Sequence, residues 1–193
     1  MFTNPKILKR LMKEAYKANY LIIGRKKDDY YIQGSYWKLL CNKNYIPKTI
    51  FAQIIELAGE IPDEGECFCS GKGGNQMQIN PMEIVIPENA KKVDIKDYIL
   101  LSKTGVAQSL LQFPEGKIVL INNVFVAATR GKHYEEELGE LPAEGPYCSL
   151  AHGVFWKNEN MKFTVCFRED SEHAGSLEQM ECIDLAYTEE SKG

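Results

Sequence analysis

The sequence predicts an α+β protein made mainly of antiparallel sheet, and two observations carry that prediction. Short apolar-polar runs separated by glycine-, asparagine- and proline-containing turns recur along the chain, the pattern of consecutive hairpins. Two stretches near the start, 5–19 and 47–58, instead repeat their apolar residues every three or four positions, the period of a helix. Consecutive hairpins imply antiparallel pairing. The expected architecture is therefore two helices in the N-terminal half among hairpins.

Asn4-Pro5 opens the first helix. An asparagine caps the free amides of a first turn, and a proline there lacks only an N–H that would go unpaired. Ile7, Leu8, Leu11, Met12 and Ala15 form the apolar stripe to about Asn19, while Lys6, Arg10, Lys13 and Lys17 fall close to one line on the other side. Two strand runs follow, Tyr20–Arg25 and Tyr30–Asn42, joined by the polar turn Lys26-Lys27-Asp28-Asp29. A second helix begins at Pro47, runs through Ile50, Phe51, Ile54, Ile55 and Leu57, and stops at Gly59. After an acidic turn, Cys67-Phe68-Cys69 and Gln76–Ile79 read as a hairpin around a glycine loop. Residues 81–90, broken by Pro81 and Pro87, read as a linker between segments 1–80 and 91–193, which can also pack as one domain.

The second segment reads mostly as strands: Asp97–Ser102, Val106–Phe113 and Lys117–Ile121. Asn122-Asn123 can cap a short helix over Val124–Thr129, but the β-branched content there favours strand. Residues 131–146 are acidic and interrupted by glycine and proline, a surface loop. Val154–Lys157 and Lys162–Arg168 pair across Asn158-Glu159-Asn160; Glu169–Ser176 is a polar loop and Met180–Tyr187 a last strand.

At 193 residues the chain has length for a proper core, and 44% hydrophobic with 26% charged residues is an ordinary globular balance. No apolar run approaches the roughly 20 residues that span a bilayer. Lys9, Arg10 and Lys13 interrupt any secretory signal core, so a cytoplasmic protein without a membrane partner is expected. Six cysteines then read as free thiols, with Cys41 and Cys166 as small core residues. The net charge of −4 conceals an asymmetry: residues 1–48 hold eleven bases and three acids, residues 49–193 twelve bases and twenty-four acids. Such a split suggests a polyanion-facing surface on an acidic body; a lysine-rich solvated helix is the plainer explanation.

Catalytic signatures are sparse. Gly71-Lys72-Gly73-Gly74 lacks the Lys-Ser/Thr and the following helix of a phosphate loop and reads as a turn. Cys67, Cys69, Cys148 and His152 form a chemically conceivable zinc tetrad, but no second closely spaced cysteine pair exists. His133, His152 and His173 belong to no nucleophile or metal motif, and consecutive Glu135, Glu136 and Glu137 diverge as solvated surface. The chain is expected to be a non-enzyme without cofactor or metal. Tyr30, Tyr31, Tyr36 and Trp37, beside Arg25, Lys26 and Lys27, are placed either as a single-strand stacking platform or as strand packing.

The order of basic helix, long hairpin, Tyr45-Ile46-Pro47-Lys48 opening a second helix, and glycine-turned hairpin resembles one domain of a DNA sliding clamp. The likeness covers most of residues 5–80. In residues 97–187, Lys117–Thr129 resembles the strand leading into a clamp helix and Val154–Phe167 its following hairpin, so two clamp-like repeats are implied. Small size, high lysine and glutamate content and the lack of catalytic motifs also resemble phage or mobile-element proteins. The resemblance implies a binding protein whose Lys6, Arg10, Lys13 and Lys17 meet DNA phosphates, with Arg25, Lys26 and Lys27 nearby. A homo-oligomer is compatible with it. The alternative is an acidic inhibitor that occupies the basic groove of a nucleic-acid enzyme by phosphate mimicry, through Glu135, Glu136, Glu137 and Glu140.

Overall fold

Asn4 begins the first helix as the sequence requires. In a computed structural model describing residues 1–77, 83–130, 141–167 and 173–183, its side chain accepts from the Lys6 and Ile7 amides at 3.0 and 3.4 Å. Helix α1 (Pro5–Lys17) buries Leu8, Leu11, Met12 and Ala15 and leads into β1 (Leu21–Lys26). The expected long strand over 30–42 is instead two, β2 (Asp29–Gln33) and β3 (Trp37–Asn42). Gly34 explains the break: its amide donates to Trp37 O at 3.0 Å, and a Cβ there would lie 2.4 Å from the indole nitrogen of Trp37. A single 3-10 turn (Lys43–Tyr45) precedes α2 (Lys48–Ala58), which ends where Gly59 adopts a left-handed φ of +81° and donates to Ile55 O. The hairpin β4 (Cys67–Gly71) and β5 (Gly74–Met77) follows.

In the second half, β6 (Lys91–Lys92), β7 (Asp94–Leu101), β8 (Ala107–Gln112) and β9 (Ile118–Asn122) precede α3 (Asn123–Thr129). Helix α3 replaces the strand that β-branching favours. Asn122 Oδ1 caps the Val124 amide at 3.0 Å, and Phe125, Val126 and Ala128 are buried on one side. Helix propensity differs by only some tenths of a kcal/mol between these residue types, less than the burial of Phe125 returns. Strand β10 (Glu144–Ser149) lies where a loop is expected. The glycine and proline that suggest a loop sit at a register shift in the β10–β11 ladder, where a proline removes no needed hydrogen bond. β11 (Gly153–Asn158) and β12 (Met161–Val165) form the expected hairpin. Residues 174–181 are helix α4 (Ala174–Glu181) rather than loop and strand start, with Leu177 and Met180, three apart, packing on Leu110, Ile118 and Leu120. Cys166, expected in the core, falls just past β12 and is exposed; Cys41 is fully buried.

The fold is α+β with mostly antiparallel sheet. Nine strands form one sheet in the order β5-β4-β1-β2-β3-β12-β11-β10-β6, and β7-β8-β9 form a second. The large sheet thus joins strands of segment 1–80 to strands of segment 91–193, through antiparallel β3–β12 pairing. Between the segments, described residues 83–90 hold no helix or strand. One side of the sheet presents Ile23, Ile32, Leu39 and Phe163 to the core, and α2 packs there through Phe51, whose ring meets Tyr30 edge-on at 5.2 Å. α1 rests against both α2 and α3.

Phe163 is completely buried, its ring 6.4 Å from Trp37 and 6.1 Å from Trp156. We expect Phe163→Ala to cost about 3–5 kcal/mol, read as a lower urea midpoint by fluorescence of the two flanking tryptophans.

Candidate nucleic-acid interface and the opposite sheet face

Spacings of four, three and four residues bring Lys6, Arg10, Lys13 and Lys17 to one side of α1, and all four are exposed opposite the buried stripe. Two of them have carboxylate neighbours. Arg10 Nε lies 3.8 Å from Glu14, and Lys13 Nζ lies 3.2 Å from Glu56 of α2. Both pairs are solvated, so each holds its partner by about 1 kcal/mol or less.

Arg25, Lys26 and Lys27 do not join this stripe at the C-terminal end of α1. That end passes directly into β1, and the three bases stand at the other end of the strand, about 16 Å away at the usual rise per residue. Arg25 Nε donates to Lys27 O at 3.1 Å, and the guanidinium lies over the Tyr30 ring at 5.6 Å. Lys27 occupies the hairpin turn with a left-handed φ of +57°. Lys26 bonds Glu83 at 2.5 Å. Of the four aromatics, Tyr30 and Trp37 are core residues, Tyr31 is half-buried and Tyr36 is exposed. The acidic candidates Glu135, Glu136, Glu137 and Glu140, with His133, lie outside the described residues.

The cysteine-histidine tetrad is not assembled. Cys67 on β4 and Cys148 on β10 are six strands apart in the sheet order, about 29 Å at the usual strand spacing. Among the described residues no three Cys, His, Asp or Glu side chains are placed to hold a metal. Gly71–Gly74 is the β4–β5 turn, its Lys72 amide donating to Asn19 Oδ1 at 2.9 Å. No described helix is long and apolar enough to cross a membrane.

The sheet side facing away from the core carries a second set of bases that the sequence reading missed. Lys38, Lys162 and Lys157 occupy the alternate positions of β3, β12 and β11, flanking the core residues Leu39, Phe163 and Trp156. Their signal is the two-residue alternation itself, but it reveals a shared face only once the strand pairing is known. Residues 83–85 pass over this side, and Ile84 is buried on it.

The chain matches no protein-family model, no curated protein and no solved structure.

Two titration outcomes follow from the geometry. The Lys26 hydrogen bond and charge hold the Glu83 carboxyl below its ordinary 4.5, with a smaller push from Lys162. A depressed carboxyl contributes stability above its unfolded pKa, and the contribution disappears as pH falls through the folded value. Lys26→Met should return the Glu83 midpoint upward in an NMR titration. Burial pushes the Cys148 thiol up to about 12 and also raises Cys67 and Cys69. At pH 8 a thiol reagent should therefore modify exposed Cys166 and Cys182 rapidly and reach Cys148 only on unfolding.

Proposed function

We propose that the chain is a non-enzymatic, DNA-associated binding protein of the cytoplasm, sliding-clamp-like in design, that contacts phosphates through the exposed face of α1. The observation that carries this reading is the placement of Lys6, Arg10, Lys13 and Lys17 on one exposed helix side. α1, α2 and α3 together contain six bases and two acids, in a chain of net charge −4. Flexible surface ammonium and guanidinium groups in such a row neutralise successive phosphates without reading bases. The solvated pairs with Glu14 and Glu56 are weak enough for a polyanion to displace.

The element order also supports a repeated design. A three-strand meander (β1–β3), a helix (α2) and a hairpin (β4–β5) are echoed by a second meander (β7–β9), a helix (α3) and a hairpin (β10–β11). The echo departs in its pairing: β4 closes on β1, whereas β10 pairs with β6 and β11.

A labelled duplex titrated at several salt concentrations, with light scattering to give the mass of the binding species, tests the reading. Binding should be independent of sequence, with log K falling against log salt with a slope of about −3 to −4, as four phosphate contacts require. Substituting Lys6, Arg10, Lys13 and Lys17 together by Glu should abolish it. Binding unchanged by that substitution overturns the assignment to α1.

A further inference from the structure

The turn between β4 and β5 is fastened to the C-terminal end of α1. Asn19, two residues past the helix, holds a left-handed φ of +56°, and its Oδ1 accepts from the Lys72 amide at 2.9 Å. The surrounding fit is close. The Cys69 thiol donates to Asn19 O at 3.6 Å, and a Cβ on Gly71 would lie 2.7 Å from Asn19 Cα, so only glycine lets the hairpin come in this far. On the returning strand, Asn75 Nδ2 donates to Ala58 O and to Glu60 at 2.9 Å each, which ties the same hairpin to the end of α2.

This fastening brings a further cation to the α1 row. Phe68 and Ser70 of β4 are buried, Phe68 in the core, and both α1 and α2 rest on this strand. The two-residue alternation carries Lys72 to that same side of the sheet, where it is exposed. Asn19 stands no more than about 7.6 Å beyond Lys17 along the chain, so Lys72 emerges next to the last cation of a row about 16 Å long. Arg10 and Lys13 have acidic neighbours, whereas among the described residues neither Lys17 nor Lys72 has a carboxylate within ion-pair distance. Nor is the Lys72 ammonium needed as a cap. The amides of Ala18, Asn19 and Tyr20 donate to the carbonyls of Glu14, Tyr16 and Ala15, and at the end of α2 Gly59 and Asn75 serve Ile55 and Ala58. Cations gathered in this way repel one another, and a polyanion relieves the repulsion.

We propose that the β4–β5 turn is part of the phosphate-binding surface, with Lys72 as the contact that follows Lys17 and Asn19 as the positioning residue that holds it there. The proposal rests on the reading of α1 as the DNA-facing helix and extends its contact line past the helix end. Gly71, Gly73 and Gly74 flank Lys72 without side chains that would keep a phosphate backbone at a distance.

Salt-dependent titrations of a labelled duplex with the full chain and its variants test this. One phosphate contact carries a slope of about 0.9, which over the decade from 1 M to 0.1 M salt amounts to about eightfold. Lys72→Gln should therefore weaken binding about eightfold at 0.1 M salt and make the slope shallower by about 0.9. Lys27→Gln, which removes the same charge at the far end of β1, should leave both unchanged. Asn19→Gly keeps the left-handed backbone and removes the acceptor. It should weaken binding about two- to threefold in the wild-type chain and not at all in the Lys72→Gln chain. Equal weakening in both backgrounds overturns the positioning role. Equal weakening by Lys27→Gln and Lys72→Gln reduces the effect to net charge and overturns the contact. Full affinity in Lys72→Gln, with binding abolished when Lys6, Arg10, Lys13 and Lys17 are replaced together by Glu, overturns the turn and leaves the reading of α1 standing. Binding that survives the fourfold substitution but is weakened by Lys72→Gln overturns the reading of α1 and keeps the turn as a contact. A chain that binds no duplex overturns both.

Discussion

The pairing of β3 with β12 is the constraint on which the rest depends. It runs from Trp37 opposite Val165 to Cys41 opposite Met161 and is the seam between the early meander and the late hairpins. On the core side it places Leu39 against Phe163 and brings the Trp37 ring near the same phenylalanine. On the other side it sets Lys38 opposite Thr164 and Leu40 opposite Lys162. Because side chains alternate, a slip of one residue would send Leu39 or Phe163 outward and bring a lysine inward. Burial of the aromatic cluster therefore fixes the geometry of the outer side as well. Without β12, β3 would be an open edge inviting non-native pairing.

What the sequence disclosed depended on how local the determining contacts are. α1, α2 and the β11–β12 hairpin are set by caps, turns and periodicity within a few residues, so Asn4, Gly59 and Asn158–Asn160 suffice to read them. α3 and β10 are settled by distant partners. Val124–Thr129 has the composition of a strand and becomes helix because Asn122 caps it and Phe125, Val126 and Ala128 find a core supplied by other elements. β10 contains a glycine and a proline, and it is a strand because β6 and β11 pair with it on both sides. The break at Gly34 depends on the Trp37 indole, three residues on, being seated against it, and that seat is fixed by distant packing near Phe163.

The sites divide in the same way. A stripe on a helix is written in spacings of three and four, and Lys6, Arg10, Lys13 and Lys17 could be found without any partner. Lys38, Lys157 and Lys162 each sit on a different strand, one position from a core residue, and only the order β3-β12-β11 makes them neighbours. The same holds for Thr164, an ordinary strand residue until burial leaves its hydroxyl unpaired. Charge counting did locate the excess of bases in residues 1–48, but counting does not distinguish Lys13 on the helix from Lys38 on the sheet.

The two sets of bases differ in how they are held, and that difference sets what each can recognise. On α1 the cations end long, solvated side chains, and Arg10 and Lys13 rest against equally solvated acids. Such groups adapt to any spacing of phosphates and confer little specificity, and salt weakens them because their attraction is largely counterion release. On the sheet, Lys38 has a half-buried stem, a strand backbone fixed by hydrogen bonds on both sides, and a buried hydroxyl as its cross-strand neighbour. A cation so placed loses little further entropy on meeting an anion. Helix side chains extended into water must be ordered by whatever they meet, while strand side chains locked in a ladder are held in place beforehand.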